Sequence, residues 1–224
     1  MKSLKTSLWS KVLLSVSAIA MSLSIANADV KEGTDYVVLK EEIPNAQNTV
    51  IEVYSYACPF CYKYSKFIPE IIKNLPKGVT FKPYHLEQKG DYGKQASQVY
   101  AVAMAKDKKA GIDINDTDKS SFQKAEHAYF EQYHAKKNRW KDGKDVDGFL
   151  KTGLDAAGIS LEEFNKALDD ADVKAILTEW EASYNVATIQ GVPAFIVNGK
   201  YLIYTKSISS LQDLESKIQE LLKK

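Results

Sequence analysis

The stretch from Tyr54 to Phe67 reads YSYACPFCYKYSKF, and its Cys58 and Cys61 are the only two cysteines in 224 residues. Two thiols at this spacing can staple a loop, hold one side of a metal ion, or exchange electrons with other thiols. As a staple the pair is poor, since a closed loop of about four residues stabilises by only ~2 kcal/mol against ~4.7 kcal/mol for a loop of a hundred. As half of a zinc site it lacks partners: no second Cys-x-x-Cys exists, and His85, His127 and His134 are scattered. His127 and His134, seven apart in a segment of helical composition, read as a solvated face. Redox exchange is the chemistry these residues favour.

The elements around the pair must position it for that chemistry. Thr49 to Ala57, TVIEVYSYA, is β-branched and aromatic, as a buried strand should be. Pro59 to Leu75 reads as a helix, with Pro59 suited to its first turn, apolar residues near helical spacing, and a bend expected at Pro69. The cysteines thus fall where a strand hands over to a helix N-terminus. Unpaired N–H groups and the positive end of the helix dipole there favour a thiolate at Cys58. Cys61, one turn further in, is expected to be the more buried, resolving thiol. A second landmark is GVPAFIVNGKY, Gly191 to Tyr201. Ala194 to Val197 reads as a strand, Asn198-Gly199 as a tight turn, Tyr201 to Tyr204 as the partner strand, and Ser209 to Lys223 as a closing amphipathic helix. Between the strand ending near Leu86 and Ala194 lie 107 residues. That is far more than one crossover needs, and five segments of helical composition fill it.

The N-terminus sets the compartment. Lys2, Lys5 and Lys11 precede and enter an apolar run from Val12 to Ile25, and Ala26-Asn27-Ala28 follows. This is the layout of a secretory signal peptide over 1–28, and the 14-residue apolar run is short of the roughly 20 residues needed to span a bilayer. Removing the leader leaves 27 basic against 29 acidic residues, a net charge of −2. That balance suggests neither nucleic acid nor an anionic membrane as partner. Locally, residues 58 to 94 hold seven lysines against three acids, +4, which reads as a solvated face in preference to a binding surface.

A strand followed by Cys-x-x-Cys at the start of a helix resembles the thioredoxin superfamily. With the export signal, the helical insertion and the YAVAMA segment at Tyr100 to Ala105, the chain is similar to the DsbA family of periplasmic disulfide oxidases. The resemblance implies an α/β thioredoxin-like fold, residues 29–90 and 188–224, interrupted by an inserted α-helical domain, 91–187. It implies that Pro193 is cis and lies beside the cysteines, with Val192 before it offering a backbone edge to an extended substrate. Glu52, six residues before Cys58, matches a buried acid placed beneath the disulfide to assist proton transfer at Cys61; the plain alternative is an edge-facing strand glutamate. Pro59-Phe60 between the cysteines resembles the DsbL branch, whereas Val192 resembles general DsbA enzymes. Where many family oxidases carry histidine before the second cysteine, this chain has Phe60, which neither donates a hydrogen bond nor carries charge. Lys82 is also one position earlier than the family's lysine before its Tyr-His pair, and one step on a strand reverses the face.

The expected protein is therefore a monomeric periplasmic dithiol oxidase needing no cofactor beyond its own disulfide and no metal. It would act on reduced exported proteins and be reoxidised by a DsbB- or DsbI-like inner-membrane partner. Two other readings stand beside it. One is an isomerase or reductase; isomerases of this superfamily commonly carry an N-terminal dimerisation domain, for which Asp29 to Asn48 leaves no room. The other is a non-catalytic metal or thiol carrier such as a copper-handling module, disfavoured because Met104 is the one methionine after the leader.

Overall fold

Strand β2 (Thr49–Tyr54) is buried at all six positions, as its TVIEVY sequence requires of a strand covered on both faces. It lies inside a five-stranded sheet of order β1-β5-β4-β2-β3 in a computed structural model that describes residues 30–224. The expected leader, 1–28, lies outside the described residues. β3 (Thr80–His85) runs parallel to β2, joined to it by helices α1 (Pro59–Tyr64) and α2 (Ile68–Asn74). β4 (Ala194–Val197) pairs antiparallel on the other side of β2, then β5 (Tyr201–Ile203), then β1 (Tyr36–Val38) at the edge. The Asn198-Gly199 turn has φ of 55° and 67°. A Cβ on Gly199 would stand 2.6 Å from the Ile43 carbonyl oxygen, so this corner admits only glycine.

One face of the sheet buries Val50, Phe81, Phe195 and Val197 against α2 and the last helix, α10 (Leu211–Leu222). The other face packs Ile51, Val53 and Ile196 against the long segment between β3 and β4. That segment forms α3 (Gly93–Ala110), α4 (Ser121–Phe130), a π turn (Glu131–Ala135), a short turn α5 (Trp140–Gly143), α6 (Val146–Ala157), α7 (Leu161–Ala167), α8 (Ala171–Trp180) and α9 (Ala182–Gln190). Aromatic stacking knits it together: Tyr129 and Phe149 lie face to face at 4.2 Å, close enough that a Cβ on Gly153 would stand 2.4 Å from the Tyr129 ring. No helix among the described residues is long and apolar enough to cross a membrane.

Three local expectations change. The continuous helix over 59–75 is two helices, broken at residues 65–67 rather than bent at Pro69. Proline's ring excludes the carbonyl four residues back, which is that of Ser65, so Pro69 begins a new helix one turn after the old one stops. β1 and the α5 turn went unread, because three residues of strand and four residues with positive φ carry no periodicity. His134 does not share a solvated face with His127: the π turn swings it inward, where its ring stacks on Tyr62 at 5.0 Å and 7°.

Candidate active site

Cys58 is the N-cap of α1. Its φ and ψ, −88° and 118°, are extended although β2 has ended at Tyr54, and its Sγ accepts the Cys61 N–H at 3.3 Å. Pro59 follows in the first turn, where its missing N–H costs no helical bond. Cys58 Sγ lies 3.2 Å from the Val192 carbonyl oxygen, to which the thiol donates when it is protonated, and the Val192–Pro193 peptide bond is cis. The loop leading into Cys58 is pinned from three sides. The Tyr56 N–H donates to His85 Nε2 at 3.3 Å, His134 Nε2 donates to the Tyr56 carbonyl at 2.8 Å, and the Tyr92 N–H donates to the Tyr56 hydroxyl at 3.0 Å. Ser55 Oγ donates to the Lys89 carbonyl at 3.1 Å.

Both cysteines are free thiols, and both are covered, Cys58 at 2% exposure and Cys61 at 1%. The two therefore differ not in exposure, as the sequence led us to expect, but in electrostatics. Cys58 is lowered to about 6, first by the hydrogen bond from Cys61, then by the N–H groups of Cys61 and Phe60 and the charge of Lys89, against burial, which raises it. Cys61 is pushed well above an ordinary thiol by burial, by its bond to Cys58 and by the charges of Cys58 and Glu52. One thiol is held as a thiolate and its neighbour as a thiol.

Glu52 is buried, 6% exposed, in a central strand and not at an edge. Burial, Glu126 and Cys58 all raise its pKa well above the usual carboxylate range. Its ladder partner is Pro83, whereas Lys82 stands opposite Ile51, donates to Glu179 at 2.7 Å and makes no pair with Glu52. Phe60 is 59% exposed beside the thiols, with the Lys63 ammonium 5.3 Å from its ring centre. Val192 is half-buried and Pro193 buried. Among the described residues no three His, Cys, Asp or Glu side chains gather as a metal-binding group.

A thioredoxin-like sheet with a helix-capping Cys-x-x-Cys set against a cis-proline loop is an arrangement that can be compared across proteins. Residues 49–219 match the family described as the DSBA-like thioredoxin domain. The chain belongs to that family. Thiol:disulfide interchange protein DsbL of Escherichia coli O6:H1 is 53% identical over 220 residues, 98% of this chain and 97% of the relative. Thiol:disulfide interchange protein DsbA of Yersinia pestis is 31% identical over 195 residues, 86% and 85% of the two chains. A crystal structure of reduced DsbL superposes with a TM-score of 0.82 at 56% identity, covering 87% of this chain and all of that one; DsbL of Salmonella enterica serovar Typhimurium gives 0.80 at 55%, covering 87% and 98%. As a member of the DsbA and DsbL family the chain is a thiol:disulfide oxidoreductase, and it has one pair of thiols with which to be one.

Glu126, His134, His85 and Lys89 were not legible as site residues. Each arrives from a distant element, and a lone histidine or glutamate in a helical segment carries no local sign of what it faces.

Proposed function

We propose that this protein is a periplasmic dithiol oxidase that introduces disulfides into exported proteins through its Cys58-Pro59-Phe60-Cys61 motif. In the oxidised enzyme a substrate thiolate attacks Sγ of Cys58; the Cys58–Cys61 bond breaks, a mixed disulfide forms, and Cys61 leaves as a thiolate that takes up a proton. The substrate's second thiolate then attacks its own sulfur in the mixed disulfide and expels Cys58. Two electrons pass from the substrate dithiol to the enzyme, which ends as Cys58 thiolate and Cys61 thiol. The backbone at Val192, already in contact with Cys58, offers an extended substrate a main-chain edge, and Pro193 brings no N–H of its own to compete with it. Reoxidation falls to a DsbB- or DsbI-like membrane partner, and the enzyme acts as a monomer.

The observation that carries this reading is the opposite treatment of the two thiols. A Cys58 thiolate held at about 6 is a good leaving group and makes the reduced enzyme the favoured state, which is what an oxidant requires. Equilibration with a glutathione buffer tests it. A reduction potential more positive than about −180 mV, the value typical of disulfide isomerases, is expected; a value near about −270 mV, where thioredoxin-type reductants lie, replaces the oxidase with a reductase.

A further inference from the structure

Beneath Cys61 a narrow crevice runs between the sheet and α4. Glu52, Tyr54, Ser65, Gln123 and Glu126 bring polar groups to it, and about 10 Å³ is open inside, room for roughly one water. The two glutamates come from different parts of the chain, one from the central strand and one from the helical segment. Around them the hydroxyls of Tyr54 and Tyr100 are buried with no hydrogen-bond partner among the described residues. The Tyr54 hydroxyl faces Glu126 closely enough to favour its charged form without meeting the geometry of a formed hydrogen bond.

We propose that Glu126 is a positioning residue of the redox centre: with Glu52 it forms an acid pair that holds one proton between its two carboxyls beneath Cys61 and yields it as Cys61 leaves. The proposal rests on the exchange reading given above. Two carboxylates in one buried crevice cannot both ionise without repulsion, so one proton is retained. Burial pushes Glu126 up to about 7, and the charge of Glu126 helps raise Glu52. The groups facing Glu126 are Glu52 and Tyr54 from β2, Cys61 from α1 and Tyr100 from α3; β3 brings only Phe81 and Pro83 to the crevice and no charge. When the substrate thiolate breaks the Cys58–Cys61 bond, the Cys61 thiolate takes the proton from Glu52, leaving a carboxylate. Both carboxyls are then ionised, and their mutual repulsion draws a proton back to the pair from solvent at the crevice mouth. No electrons pass through the pair.

The test compares oxidised wild type with Glu126→Gln and Glu126→Asp, using a reduced two-cysteine peptide across pH 5 to 8, and reads the protonated-carboxyl infrared band of each protein over the same range. In wild type the rate of disulfide transfer, corrected for peptide thiolate, is expected to turn over near pH 7. Glu126→Gln should lose that inflection, run about tenfold slower below it, and lose the carboxyl band at lower pH because Glu52 no longer feels Glu126. Glu126→Asp should keep a displaced inflection. An inflection and band unchanged in Glu126→Gln overturn the acid pair while leaving the oxidase intact. A wild type that transfers no disulfide overturns the oxidase, and the infrared arm still reads the pair. If Glu126→Gln does not fold, Tyr54→Phe reads the same pair with the opposite sign: its inflection should rise, and an unmoved one overturns the proposal.

Discussion

Sγ of Cys58 lies 3.2 Å from the carbonyl oxygen of Val192, 134 residues later in the chain. The sulfur that the substrate attacks therefore sits in a seam, with the helix N-terminus on one side and the cis-proline loop on the other. Its chemistry depends on both, and so do the expectations below.

Cys58, lowered to about 6, should be roughly 90% ionised at pH 7. Its depressed folded value gives the reduced protein stability that is full above the unfolded thiol's ~8.5 and is lost as pH falls through 6. The drop from ~8.5 to about 6 corresponds to ~3.4 kcal/mol, and screening by solvent and salt reduces the expected gain to about 2 kcal/mol. Urea unfolding of the reduced and oxidised forms at pH 5 and pH 8 checks this. The reduced form should gain on the oxidised one at the higher pH, and parallel curves at both would exclude a stabilised thiolate.

Phe60→His should strengthen the thiolate further. Phe60 is exposed, so its replacement empties no core and sacrifices only the contact with Lys63, about 0.5 to 1 kcal/mol. A histidine there adds a donor and, when protonated, a charge beside Cys58, lowering its midpoint by about one unit or more. Thiolate ultraviolet absorbance against pH measures it; a midpoint that stays or rises contradicts the expectation.

Gly90→Ala should damage the approach to Cys58 from beneath. Gly90 has φ of +90°, and an added Cβ would stand 2.7 Å from both the Ala57 Cβ and the Tyr56 hydroxyl. Backbone strain and overlap together cost about 2 to 4 kcal/mol. Denaturant unfolding giving a loss below ~1 kcal/mol would mean that the loop before Cys58 yields more easily than its hydrogen bonds suggest.

Much of the site was legible because its parts are local. A β-branched run, two cysteines and a proline in the first helical turn lie within about a dozen residues, and each speaks through its own backbone preference. Pro193 was placed beside the cysteines by the resemblance to the thioredoxin superfamily, since its own neighbourhood reads equally as a strand-edge proline. Whether Lys82 pairs with Glu52 was open in the sequence, and the strand register, with Lys82 opposite Ile51 and bonded to Glu179, now separates them. What escaped was tertiary: the approach of the Val192 carbonyl to Cys58, the inward turn of His134, and the lining of one crevice by both Glu126 and Glu52. Those depend on how the helical segment folds back over the sheet, and no window of sequence contains both partners.

The sheet order also fixes a sequence of events in synthesis. β2 gains its β3 neighbour by residue 85, but the strand that closes its other side begins at Ala194, 140 residues after β2 ends. At about 5 to 20 residues per second, the new chain waits on the order of ten seconds before that edge and the Val192 carbonyl exist. For that interval the two thiols belong to a polypeptide without its closing strand or the Val192 carbonyl, so the seam around Cys58 is a property only of the finished chain.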